Sequence, residues 1–375
     1  MIIRNYPLQQ MPDYPLERDY DLNKVAFFDI ETTGFAADST YLYLIGCTYY
    51  KNNSFWIIQW FSENIKEEAS LLEAFFHFLE DYEVLLHYNG TTFDLPYLQR
   101  KISHLKLGYT FDHLISIDLY KKISPYKKIL KLDSLKLKSV ETFLNIHRQD
   151  TFSGGDLIEV YSAYLGKRNY ENLKRQRDPN FIFPVPTEAD MLLEQLLLHN
   201  RDDLCGLLLI CPILAYSDLF EKPIRILKAT VEAGYLNISF EISTPIVQSI
   251  SHTDGFCHLT ASESTATLTV QIYEGELKYF YDNYKDYYYL PAEDYAIHKS
   301  IAAYVDKEYR IKAKPSTCYT KKQGVFAPQY EQLITPNFKI NHQDKLTFLE
   351  VHTDFLLQEE RLEQYVHHLL THMKP

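Results

Sequence analysis

No uncharged run in the chain is long enough to span a bilayer. The longest, Leu204 to Ser217, is interrupted by Pro212. The start, Met1 to Pro15, carries Arg4, Asp13 and prolines where a secretion signal would need an apolar core. Cysteine is sparse and odd in number: Cys47, Cys205, Cys211, Cys257 and Cys318 show no C-x-x-C spacing. A disulfide framework and a zinc site are therefore not expected, and a soluble protein of the reducing cytoplasm is. Positive charge is also short, with 38 Lys and Arg against 50 Asp and Glu, a net charge of −12. That balance argues against a nucleic-acid coat protein but leaves an enzyme open, because local charge decides contact. Internal repeats and long low-complexity tracts are missing as well.

Locally the charge reverses. From Arg100 to Arg148 eleven Lys and Arg face four acids, Asp112, Asp118, Asp133 and Glu141. Lys121, Lys122, Lys127 and Lys128 are the densest part and the candidates for phosphate contact, although a solvated helical surface would look the same.

With 375 residues two domains are expected: residues 1–217, with a core at about 20–215, and residues 218–375. Three strands are read at Lys24–Ile30, Tyr41–Tyr50 and Asn53–Trp60, then a helix at Ile65–Leu79 and a strand at Val84–His87. A helix follows at about Thr92–Leu105 and a fifth strand at Ser116–Leu119. Short helices are read across Ser134–Phe143 and Gly155–Tyr164. The last helix starts at Thr187, where Thr-Glu-Ala-Asp forms a capping box, and runs past Leu209. This predicts an α/β fold with a mixed sheet flanked by helices. Beyond it, Tyr235–Glu241, Thr265–Tyr273 and Glu276–Tyr281 alternate like strands, with helices expected at Glu293–Val305 and Gln358–Met373, a smaller α+β domain.

The chemistry lies in three pieces. In Val25-Ala-Phe-Phe-Asp29-Ile-Glu31 the two-residue period of a strand puts Val25, Phe27, Asp29 and Glu31 on one face. Two carboxylates at adjacent same-face positions repel and resist desolvation unless cations neutralise them. Hard divalent ions such as Mg²⁺ or Mn²⁺ suit such oxygen ligands. Asp81-Tyr82-Glu83 is a second such pair, but only Asp29-x-Glu31 closes an apolar strand and leads into Thr32-Thr33-Gly34. In the second piece, Leu85-Leu-His-Tyr-Asn89-Gly-Thr-Thr-Phe-Asp94, a strand ends, Asn-Gly turns, and Asp94 lands at a helix start, where a structural carboxylate is also common. In the third, Leu192, Leu196, His199 and Asp203 share one helical stripe, while Asp202 is turned roughly 100° away. A lone core histidine is usually structural, but beside an inward acid His199 becomes a candidate general base.

Together, Phe28-Asp29-Ile-Glu31-Thr-Thr-Gly34, Asn89-Gly-Thr-Thr-Phe-Asp94 and His199-x-x-x-Asp203 resemble the DEDD-type 3′–5′ exonucleases of the ribonuclease-H-like superfamily. Among these, the chain is most similar to the YprB-like ribonuclease-H-like family over roughly residues 20 to 215. The resemblance implies a ribonuclease-H-like sheet and two divalent ions held by Asp29, Glu31, Asp94 and Asp203, with Asp29 touching both. One ion serves the attacking water and the other the leaving 3′ oxygen. Asn89 and the Thr32–Gly34 backbone would then lie near the terminal nucleotide. One departure stands out: relatives place tyrosine four residues, or histidine five residues, before the last aspartate. Here His199 is four before Asp203.

The implied activity is hydrolysis of DNA or RNA ends, single-stranded or frayed, with no membrane role. An inactive nucleic-acid-binding module and a structure-selective endonuclease on the same fold are the alternatives. Residues 218–375 show no nameable chemistry. Their interleaved Tyr and Lys, as in Lys278 to Leu290, could stack a single strand or simply pack a β domain.

Overall fold

The computed structural model describes residues 1–148 and 154–374. It divides into two compact units, Met1–Leu214 and Ala215–Pro375.

In the first unit a six-stranded mixed sheet is built from β1 (Ile2–Pro7), β2 (Val25–Thr32), β3 (Leu42–Lys51), β4 (Ser54–Phe61), β5 (Val84–His87) and β6 (Ile115–Asp118). The spatial order is β1-β4-β3-β2-β5-β6. The β2–β3, β3–β4 and β1–β4 pairs are antiparallel. The β2–β5 and β5–β6 pairs are parallel, which places the ends of these three strands along one edge of the sheet. Strand β1 was not anticipated. It is short, carries Arg4, Asn5 and Pro7, and is exposed at most positions, as suits an edge strand.

Helices cover both faces. On one side Ala26, Phe28, Ile30 and Cys47 pack on Leu71, Leu72 and Phe75 of α1 (Glu68–Leu79) and on Tyr97 and Leu98 of α2 (Asp94–His104). Short helices α3 (Leu119–Ile123) and α4 (Leu137–Phe143) follow. On the other side Tyr43, Leu44 and Phe61 pack on Leu157, Tyr161 and Tyr164 of α5 (Gly154–Arg177) and on Leu193 and Leu196 of α6 (Glu188–Leu209). Helix α5 runs well past the anticipated Tyr164. Thr187 caps α6 through the expected reciprocal box with Asp190. By length and composition Glu188–Glu221 could cross a membrane, but 78% of its most apolar window is buried, as in a core helix.

After α7 (Leu214–Glu221), the second unit holds three three-stranded sheets. The first joins β7 (Arg225–Glu232) to the long hairpin of β8 (Tyr235–Asp254) and β9 (Cys257–Gln271). β10 (Tyr273–Phe280), β14 (Tyr319–Gln329) and β15 (Thr347–Glu350) form the second. The third has β11 (Tyr287–Leu290) between β12 (Tyr295–His298) and β13 (Ile311–Lys312). The helix expected at Glu293–Val305 is instead strand β12 and the single turn α8 (Lys299–Ala302). The β-prone Tyr295 and Ile297 outweigh the apolar spacing there. Helix α9 (Thr353–Leu356) is short, and α10 (Glu359–Met373) lies where the sequence placed it. Much of the Tyr and Lys interleaving is internal packing. Tyr281 stacks on Tyr287 at 4.4 Å, and Lys278 lies over Tyr319 at 4.5 Å. Lys322 pairs with Glu350 at 2.6 Å.

Candidate metal centre and nucleic-acid site

Strand β2 points Asp29 and Glu31 toward α6, because alternate residues face opposite sides and Phe28 and Ile30 take the α1–α2 side. The helical stripe of α6 meets them there. His199 Nε2 lies 3.3 Å from Asp203 Oδ2 and 3.8 Å from Glu31 Oε1. Ligand atoms of Glu31, His199 and Asp203 all fall within 4.8 Å of one another, a geometry that could hold a metal ion. Glu31 and His199 are buried.

Asp29 stands beside this trio, held from the side by an amide. Asn200 Nδ2 donates to Asp29 Oδ2 at 2.9 Å. Behind it, Gln59 Nε2 donates to Asn200 Oδ1 at 2.8 Å, and Tyr6 Oη donates to Gln59 Oε1 at 3.0 Å. A chain of hydrogen bonds thus runs from edge strand β1 to Asp29. It crosses β3 at Gly46, the ladder partner of Asp29, where any Cβ would collide with Asn200 Oδ1. Burial pushes the Asp29 carboxyl well above the usual range, and the charges of Asp203 and Asp94 add to it.

Asp94 opens α2 and is buried. Burial, then the charges of Asp118 and Asp203, push its carboxyl up to about 7, against opposing backbone hydrogen bonds from Asp94 itself and Ile30. The turn that delivers it is fixed by Asp118, opposite His87 in the β5–β6 ladder. The Asp118 carboxylate accepts from Asn89 N at 2.8 Å, Thr91 Oγ1 at 2.5 Å and Tyr120 N at 3.0 Å. Burial opposes ionisation of Asp118, but these bonds outweigh it and hold its carboxyl below the usual range. His87 takes the Gly90 N–H on Nδ1 at 3.1 Å, and its Nε2 lies 2.8 Å from Ser116 Oγ. Burial pushes the His87 imidazole down to about 4.

The fold therefore brings Asp29, Glu31, Asp94, His199 and Asp203 to one end of the sheet. Asp202 lies on another flank of α6, partly exposed. Asn89 adopts a left-handed φ of 60°, and its Oδ1 accepts from Thr92 Oγ1 at 2.6 Å. Thr32 Oγ1 donates to the Gly34 carbonyl at 2.9 Å. Both side chains thus shape their turns. Lys121 and Lys122 are exposed on α3, just beyond Asp118, with Lys128 exposed and Lys127 half-buried nearby. Three other members of the basic stretch are committed internally: Arg100 to Asp38, Lys101 to Glu68, and Arg148 to Glu141 and Asp203. Sequence reasoning missed Asn200, Gln59, Gly46, Asp118 and the role of Arg148. A lone amide in the apolar run Phe55-Trp-Ile-Ile-Gln59-Trp-Phe61 was the available signal for Gln59.

Residues 26–214 match the family model described as the RNase_H superfamily. Over 104 residues the chain is 29% identical to DNA polymerase 1 of Sulfurisphaera ohwakuensis, covering 28% of this chain and 12% of that polymerase. The chain thus spans only a small part of that curated relative. The family B DNA polymerase of the archaeon Pyrobaculum calidifontis overlaps 68% of this chain and 33% of its own, at 13% identity and a TM-score of 0.32.

Proposed function

The chain belongs to the RNase_H superfamily, and from that premise we propose that it is a metal-dependent 3′–5′ exonuclease of the DEDD type, most similar to the YprB-like family, acting on DNA or RNA ends. The observation that carries this reading is the convergence of Glu31, His199 and Asp203 beside Asp29, with Asp94 close enough for its charge to bear on Asp29.

Two divalent cations fit this donor set. Four carboxylates supply hard oxygen ligands, and burial with mutual repulsion raises the carboxyls of Asp29 and Asp94, a cost that bound cations would offset. Asp29, Glu31, Asp94 and Asp203 would hold the ions, Mg²⁺ or Mn²⁺. When bound, such ions neutralise charge on a phosphodiester and ease ionisation of water. The chain does the rest. Asn200 keeps Asp29 turned into the site. His199 would serve as the general base that takes a proton from the attacking water. The Asp118-fixed turn sets Asp94 and presents Asn89, while Thr32 and Gly34 line the end of β2. Lys121, Lys122, Lys127 and Lys128 would track the phosphates of an incoming strand.

The test is digestion of 5′-labelled and circular DNA and RNA oligomers with and without Mn²⁺. Progressive shortening of linear substrates from the 3′ end, with circles untouched, is expected. Cleaved circles would make the protein an endonuclease, and no cleavage under any condition would leave a binding module.

A further inference from the structure

Acids gathered in a buried site need positive charge, and one cation is the protein's own. Arg148, just past α4, has its side chain nine-tenths buried. Its guanidinium forks onto the buried Glu141 of α4, with Nε 2.5 Å from Oε2 and Nη2 2.8 Å from Oε1. The remaining terminal nitrogen, Nη1, donates to Asp203 Oδ1. Helix α6 makes room for this: a Cβ at Gly206, one turn beyond Asp203, would collide with Glu141 Oε1. Loop and helices are thus shaped around one guanidinium, whose planar fork a lysine cannot reproduce.

We propose that Arg148 is a positioning residue that commits Asp203 Oδ1 to the guanidinium. This leaves Oδ2, on the His199 side, as the single Asp203 oxygen offered to a cation. Its charge limits how tightly that cation is held, and its fork keeps Asp203 in the orientation that supports turnover. This rests on the metal-dependent reading above.

Two properties of one side chain predict two separable defects. Arg148→Gln removes the charge, so Mn²⁺, followed by calorimetric titration of the full chain, should bind about tenfold more tightly. In the same variant kcat should fall on the order of 10–100-fold with KM little changed, because Asp203 is no longer held. Arg148→Lys keeps the charge and loses the fork, so Mn²⁺ affinity should stay near wild type while kcat still falls. Glu141→Gln, which weakens the anchor and removes one negative charge beside the guanidinium, should lower kcat as the lysine variant does and bind Mn²⁺ more weakly than wild type. Thermal melts without metal report folding in each case.

Opposite movement of Mn²⁺ affinity and kcat in Arg148→Gln supports the assignment. A merely structural arginine would lower melting temperature, affinity and kcat together or leave the last two unchanged, and either pattern overturns it. Failure of the wild type itself to bind Mn²⁺ overturns the metal reading, and this inference with it. Wild-type binding with all three variants indistinguishable from it overturns the inference alone.

Discussion

Gly46 faces Asp29 across the β2–β3 ladder, and the space its missing side chain leaves is filled by the amide of Asn200, which holds Asp29. Gly46→Ala should therefore displace Asn200 from the core, at a cost of about 1–3 kcal/mol. Urea unfolding measures it. A wild-type midpoint would show that α6 shifts freely and that the close approach is unimportant. The loss of the Asn200 hydrogen bond should also appear as altered Mn²⁺ binding at Asp29.

Asp29 is forced to share a buried corner with two other acids. For Asp29 and Asp94 the folded-state carboxyl is raised, so their protonated forms stabilise the metal-free fold below the ordinary carboxylate range. That contribution is lost as pH rises through the elevated values. At neutral pH Asp29→Asn should accordingly melt at the same temperature as the metal-free wild type or higher, while abolishing hydrolysis. Mn²⁺ should stabilise the wild type more than the variant. Equal stabilisation of both would remove Asp29 from the metal site.

His199 touches two candidate ligands, so its role is decided by separating rate from binding. His199→Ala should cost on the order of 10²–10⁴ in rate, as loss of a positioned base does, with Mn²⁺ affinity nearly kept. His199→Tyr, at the spacing used by tyrosine relatives, should restore part of that rate. If Mn²⁺ affinity collapses along with the rate, His199 is a ligand. Near-full activity with a lowered melting temperature would make it a core histidine.

His87 gives a pH signature of opposite sign. Its imidazole is held neutral by burial, down to about 4, so between that value and the ordinary histidine range of about 6.5 the unfolded chain binds the extra proton. Stability should fall as pH drops through this window, by at most about 3 kcal/mol. His87→Gln should flatten that part of the stability curve relative to wild type, measured by chemical unfolding from pH 4 to 7. Parallel curves would mean that His87 keeps an ordinary affinity for protons. The metal-free acids act in the other direction, which is why the difference between the two proteins carries the test.

Much of the first unit was legible because its signals are local. The apolar run ending in Asp29-x-Glu31, the turn at Asn89-Gly90 and the capping box at Thr187 each name a strand end, a loop or a helix start. The stripe through Leu196, His199 and Asp203 follows from the helical repeat alone. What escaped depends on partners far along the chain. Asn200 reads as a polar neighbour of His199 until Gly46, 154 positions away in sequence, is found to leave space for it. Arg148 counted toward a basic surface because a charge tally cannot show that Glu141 and Asp203 already hold it. Lys101 was miscounted in the same way, being buried against Glu68. In the second unit, tyrosine-rich runs satisfy strand, helix and stacking patterns alike, so periodicity did not separate them.

Helix α6 carries His199, Asn200 and Asp203 on a single rod whose start is pinned at Thr187. Its side-chain directions advance by about 100° per residue. The reach from cap to site is therefore also an angular setting. One residue inserted between Thr187 and His199, with the cap left in place, would swing all three groups away from β2 together. Four inserted residues would bring them back to nearly the same bearing but about 6 Å further along the axis. Length changes in this segment should thus be far less tolerated than substitutions on its solvent side, although the inserted residue itself would touch nothing in the site.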